Sequence, residues 1–209
     1  VTESGGNTPQ ASDGAAGVSG ESSDVRRGAA LEDAREYYRL AMLGDIAAID
    51  MADGAVERLL AEGTGRAEAL AIRGGLLTLR AKLTHSFPKR LYYFYKAIKS
   101  LNRAVEEEPE NPAARTIRGF TSLVLPGFLR RLKVAAEDFE YLIRRYEEDP
   151  SFLPDEMMPK IYLNLGIAYA KEGKRDRARK SLAEVTERFP GSGESERAQS
   201  VLARLARRS

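Results

Sequence analysis

The chain has 209 residues, with 33 Lys and Arg against 31 Asp and Glu, so its formal net charge is only +2 although 31% of its residues are charged. That balance argues against a general nucleic-acid coat or an acidic tail protein. There is no Cys and a single His, His85, which excludes disulfides, zinc-thiolate sites and Cys nucleophiles and leaves few routes to a catalytic triad or a transition-metal site. No apolar run approaches the ~18 residues of a membrane span. Composition therefore leans away from enzymes, and no cofactor or metal is expected.

In chain order, residues 1–28 hold six Gly and five Ser and no aromatic residue, too little apolar surface to offset the entropy of ordering them. They read as a flexible linker. Gly/Ser-rich tethers of this kind commonly follow a removed signal peptide or a lipid-anchored Cys, which points to export; the alternative is a disordered cytoplasmic extension. Beyond Gly28 the pattern is helical. Apolar residues from Ile161 to Tyr169 recur at three and four spacing, and Leu182, Val185 and Phe189 continue the stripe after Gly173. Gly173 suits a helix stop, and Asp176 falls in the next first turn, where a carboxylate favours the helix dipole. Strand signals are absent, while Pro109, Pro112, Pro126, Pro150, Pro154, Pro159 and Pro190 mark element boundaries.

Counted from Pro159, Tyr162, Leu165-Gly166, Tyr169, Ala178, Leu182 and Pro190 fall on the signature positions of a 34-residue helix–turn–helix unit. The segment resembles the tetratricopeptide repeat (TPR). Upstream, Ala97, Leu101, Ala104 and Pro109 match second-helix positions, Pro112 opens a unit with Gly119 in register, and Ile117-Arg118-Gly119 repeats Ile72-Arg73-Gly74. Units are thus expected near residues 33–66, 67–111, 112–158 and 159–192, the first of them degenerate because Leu40 stands where Gly is usual. The 23 residues from Gly74 to Ala97 imply an insertion of 11 in the second unit, and the 16 from Gly119 to Ala135 an insertion of 4 in the third. A further 9 extra residues precede Pro159. Residues 193–209 supply a capping helix, with Ala198, Val201, Leu202 and Leu205 toward the last repeat and Arg204, Arg207 and Arg208 toward water. The resemblance implies an all-α, right-handed superhelix of about four hairpins plus a C-terminal cap over residues 29–209. The turn Leu125-Pro126-Gly127-Phe128 with Asp138-Phe139 is also similar to bacterial TPR-like proteins of no assigned activity.

The family's concave groove is lined by first-helix positions that become Ala113, Thr116, Phe120, Leu123 and Val124 in one unit, and Lys160, Leu163, Ile167, Ala170 and Lys171 in the next. The resemblance makes Thr116, Phe120, Leu123, Val124, Lys160, Leu163, Ile167 and Lys171 the candidate partner groove. It lacks the Lys and Asn with which chaperone-adaptor members clamp a terminal carboxylate, and its apolar character suits an amphipathic helix or a hydrophobic peptide. The competing reading is that the chain's own insertions or N-terminal segment fill it. A second candidate surface lies between Arg80 and Lys99, a stretch with six basic residues and no acid. There Lys89, Arg90 and Lys96 stand among Tyr92, Tyr93 and Tyr95. Consecutive aromatics point all around a helix, so part of them must pack, with Phe87 and at least two of Tyr92 to Tyr95 expected inside. The stretch from Ser86 to Tyr95 reads as an inserted loop–helix junction. A membrane surface or nucleic acid could also use such a mixture, but no nucleic-acid module is present. Glu106-Glu107-Glu108 and Glu147-Glu148-Asp149 read as solvated helix ends, and no Gly-rich phosphate loop occurs. The expectation is a non-catalytic scaffold for a protein or peptide partner, periplasmic or otherwise associated with the bacterial cell envelope. The alternative is an accessory subunit of a solute-uptake or outer-membrane assembly system that binds a small apolar ligand.

Overall fold

A computed structural model describes residues 17–207, with side chains from Gly28 onward. Nine α-helices follow one another among the described residues: α1 (Gly17–Met42), α2 (Ala47–Glu62), α3 (Arg66–Leu83), α4 (Phe87–Glu107), α5 (Pro112–Val124), α6 (Leu132–Glu148), α7 (Met158–Lys171), α8 (Arg175–Arg188) and α9 (Gly193–Ala206). No strand occurs among those residues either. Successive helices pack as antiparallel pairs, α1 with α2, α3 with α4, α5 with α6 and α7 with α8, and α9 lies against both α7 and α8.

The boundaries follow from local chemistry. Pro112 occupies the first turn of α5, where its missing N–H costs nothing, and the Asn111 side chain accepts from the Ala114 amide at 2.9 Å. Ser192 caps α9 in the same way at 3.1 Å from the Ser195 amide. Gly63, at φ 72°, ends α2 in the left-handed conformation that glycine adopts without penalty. One boundary departs from the sequence reading: α1 starts at Gly17, inside the stretch read as a linker, because adding a turn to an existing packed helix costs far less than nucleating one. Residues 1–16 of that stretch lie outside the described residues.

Within each of the last three pairs a glycine lets the second helix cross closely. A Cβ on Gly166 would lie 2.6 Å from Leu182 Cγ, one on Gly119 would lie 2.9 Å from Phe139 Cε1, and one on Gly74 would lie 2.5 Å from Leu101 Cγ. The partner is 16 residues downstream in the last pair, 20 in the pair with four extra residues and 27 in the pair with eleven. One crossing is therefore preserved while the insertions are absorbed elsewhere.

The largest insertion is not absorbed as a loop. The eleven extra residues lengthen both helices, so that α3 and α4 have 18 and 21 residues where α7 and α8 have 14 each. Only residues 84–86 connect them, which corrects the expected loop–helix junction from Ser86 to Tyr95. No residue after Pro88 breaks a helix, and Pro88 itself sits in the first turn of α4. The lengthened tip packs on the insertion of the following pair: Ala81 and Phe94 are buried against Leu125, with Tyr93, Ile98 and Leu129 half-buried around them. Between α6 and α7 the extra residues form two short 3-10 turns, Pro150–Phe152 and Asp155–Met157.

A buried charge joins α5 to α6. Asp138 is fully buried and accepts from Arg118 Nε and Nη2, both at 2.7 Å, and from Arg115 Nη1 at 3.0 Å. The Arg115 guanidinium stacks over Tyr141 at 3.7 Å, so two cations and one ring surround a single carboxylate. At the other end of the chain Ala198 is buried, and Val201, Leu202 and Leu205 lie half-buried against the last repeat.

Candidate functional site

Over the second repeat the inner face is occupied by α1. Arg35 Nε and Nη2 donate to the two oxygens of buried Glu68 at 2.7 and 2.8 Å. Hydrogen bonding to Glu68 holds the guanidinium pKa well above its ordinary value. Tyr38 packs on Gly75 and reaches the Thr121 side chain of α5, and burial raises its hydroxyl to about 12. The first repeat thus fills the face that the second would otherwise present.

Farther along, the eight predicted groove residues separate into two groups. Leu163 is fully buried and Leu123 is 4% exposed, so both belong to the core rather than to a contact surface. Both lie in one core cluster, where α7 packs against α5 on one side and α9 on the other, which single-repeat positions do not reveal. Phe120 is half-buried, edge-on to Phe139 with ring centres 5.2 Å apart. Ile167 is half-buried beside Val201, where a hollow of about 270 Å³ also touches Arg197 and Arg204 of α9. Thr116 is half-buried with Oγ1 lacking a partner among the described residues. Val124 and Lys160 are exposed, and exposed Lys171 donates to the Leu123 carbonyl at 3.2 Å. Between the buried leucines and the exposed Val124, Lys160 and Lys171, half-buried Thr116, Phe120 and Ile167 keep part of their surface in contact with solvent.

The second predicted surface is the more open one. Tyr92 and Tyr95 are exposed, Tyr93 is half-buried, and Lys96 lies 5.5 Å over the Tyr92 ring. Lys89 is exposed, while half-buried Arg90 donates to the Thr84 carbonyl at 2.9 Å and braces the connecting loop. Two adjoining clefts of about 720 and 470 Å³ run along α4 and across to α3. Half-buried Leu77 of α3 contributes apolar lining over a floor that reaches the buried Leu70, and Arg73, Arg80, Lys99 and Arg103 join Lys96 on the walls. Arg73 pairs with Glu57, Arg80 with Asp50 and Asp53, and Arg103 with Glu107. Lys96 and Lys99 form no ion pair among the described residues. Phe87 departs from expectation: it is 65% exposed, because the first turn of α4 projects beyond the neighbouring helices.

Sequence reasoning located the α4 side of this cleft and missed the α3 side. The signal was present, since Leu70, Arg73, Leu77 and Arg80 recur at three and four spacing and share one helical face. His85 is exposed in the connecting loop. Glu107 is more than a solvated end, receiving Arg66 at 2.9 Å and Arg103 at 2.7 Å. Glu147 accepts from Tyr162, whose hydroxyl rises to about 12 through burial and this bond. No group of three or more potential metal ligands occurs among the described residues.

No family model matches the sequence, and no curated protein matches it. Among solved structures, the thermophilic TPR protein TTC0263 of Thermus thermophilus superposes with a TM-score of 0.62 at 18% identity, over 85% of this chain and 81% of that one. A MamA variant superposes with a TM-score of 0.51 at 16% identity, over 84% of this chain and 85% of its own. The crossing glycines, the helix pairs and these superpositions agree: the chain has the all-α fold of the tetratricopeptide-repeat proteins.

Proposed function

We propose that the chain is a non-catalytic scaffold that holds a peptide or helical segment of a protein partner in the bacterial cell envelope. The α3–α4 cleft carries this reading. It combines half-buried Leu77 and the tyrosine rings with Lys96 and Lys99, which form no ion pair among the described residues, so it suits an acidic amphipathic segment whose apolar side lies on Leu77 and the rings. Thr116, Phe120 and Ile167 offer a second, narrower contact. Ile167 borders a hollow of about 270 Å³ whose other walls include Glu196, Arg197, Ser200 and Arg204 of α9, a poor fit for a small apolar ligand. The Gly- and Ser-rich composition of residues 1–16, the part of that stretch outside α1, is of the kind found in tethers of exported proteins and supports the envelope placement.

Partner capture from a native extract tests the reading. Tyr92→Ala with Lys96→Glu should lose the captured protein, and Phe120→Asp with Ile167→Asp should weaken it less. Identical recovery with wild type and both pairs would remove both surfaces.

A further inference from the structure

The first-to-second-helix connections of all four pairs lie along one edge of the molecule, and contacts join each to the next. Ile46 shares a hollow with Leu83 and Thr84, Ala81 and Phe94 pack on Leu125, and Lys171 reaches the Leu123 carbonyl. This continuous edge carries large apolar side chains in water: Leu43 is 74% exposed, Ile46 63%, Phe87 65% and Phe128 63%. They come from three separate connections, so no single loop accident places them together.

Cations accompany them. Lys82, Lys89 and Arg130 are exposed at the tips and form no ion pair among the described residues. The acids of the same connections are engaged: Asp45 accepts from the Ala47 and Ala48 amides, Glu172 pairs with Lys174, and Asp176 lies 3.7 Å from Arg179. Arg130 also holds φ 51°, a left-handed conformation that an arginine adopts at a cost glycine would avoid. The opposite edge carries more acids, Glu106, Glu107, Glu108 and Glu110 in one connection and Glu147, Glu148, Asp149, Asp155 and Glu156 around the next, of which Glu107, Glu147 and Glu148 pair with arginines.

We infer that the apolar, cationic edge is a docking surface for an anionic lipid bilayer. Leu43, Ile46, Phe87 and Phe128 enter the interfacial region, lysines and arginines meet the headgroup phosphates, and the acidic edge, repelled by the same charge, points away. The occupant follows from charge and chemistry together: apolar tips that project singly from three connections suit the acyl boundary, and the flanking cations select negative headgroups. The inference does not rest on the α3–α4 cleft as a partner site.

Co-sedimentation of the full chain with vesicles tests it. Binding is expected to phosphatidylcholine vesicles containing phosphatidylglycerol, to be absent with phosphatidylcholine alone, and to fall as salt is added. Lys82→Ser with Lys89→Ser should reduce partitioning about thirtyfold, from the known worth of each cation near an anionic surface. Leu43→Ser with Phe87→Ser should weaken binding with unchanged helicity by circular dichroism. No binding to the anionic vesicles, or binding indifferent to all four substitutions, overturns the inference. So does salt-dependent self-association, removed by the same substitutions while vesicles stay unbound, which would make the acidic edge of a second copy the occupant.

Discussion

The α3–α4 and α7–α8 pairs are built on one crossing and end in different places. In each, a glycine on the first helix admits a leucine from the second, Leu101 over Gly74 and Leu182 over Gly166, and a backbone carbonyl lies close by: Ala97 O 3.1 Å from a Cβ on Gly74, Ala178 O 3.4 Å from one on Gly166. The α7–α8 pair stops soon after its crossing, at a turn through Gly173. The α3–α4 pair runs on, and its additional turns carry Phe87, Tyr92 and Tyr95 into solvent. Repeat packing thus constrains the crossing and leaves the tips free to vary, so an insertion can add surface without disturbing the solenoid.

The sharpest way to break that equivalence is to empty the crossings. Leu101 and Leu182 are both fully buried, and Leu→Ala at either should cost about 2–5 kcal/mol through lost transfer energy and a residual cavity. Urea unfolding should return losses within about 1 kcal/mol of each other. A large loss at one and a small loss at the other would show that the two crossings are not the same contact.

Filling the crossings should have the next largest effect. Gly74→Leu and Gly166→Leu each force atoms into space already held by a side chain and should destabilise by more than about 2 kcal/mol. Gly74→Ala combined with Leu101→Ala should recover part of the combined loss, because the new methyl enters the space that the leucine vacates. Additive losses in the double variant would place the two residues out of contact.

A smaller effect is expected where α1 closes the inner face. Tyr38→Phe removes a buried hydroxyl bonded to Thr121 and should cost about 1 kcal/mol. The α7–α8 pair has no counterpart of this contact with α1, so the loss should appear as unfolding of the N-terminal helices by hydrogen exchange and leave α7 protected.

The sequence made the repeating part of this comparison legible and the non-repeating part only partly so. Gly166, Gly119 and Gly74 could be read because one physical demand, close helix approach, recurs at a fixed place in each unit. The eleven extra residues could be counted but not placed, since 87–95 carries no breaker after Pro88 and composition does not say which neighbour receives the extended helix. Leu163 and Leu123 were assigned to a groove because position within one repeat cannot show how α7 packs between α5 and α9. Asp138 was noted for its place in a motif, but its burial depends on Arg115 and Arg118 standing one turn apart on a different helix. Tertiary pairing of this kind has no local pattern to announce it.

The smallest effect on stability should come from the extended tip, and it separates packing from contact. Tyr92 is exposed and Lys96 lies over its ring, so Tyr92→Ala with Lys96→Glu removes a solvent-facing cation–ring pair and should leave the unfolding midpoint in place. Phe94, two residues on and 7% exposed, should behave oppositely: Phe94→Ala opens the cluster with Ala81 and Leu125 and should cost about 3 kcal/mol or more. Half-buried Tyr93 packs against that same cluster, so a Tyr93→Ala substitution would confound stability with binding and is the poorer probe. If the Tyr92 and Lys96 pair weakens partner capture without moving the midpoint, the added turns are a contact surface grafted onto an ordinary crossing. A midpoint that falls as far as it does for Phe94→Ala would instead make the whole tip a packing element, and the long pair would differ from the short one only in the size of its core.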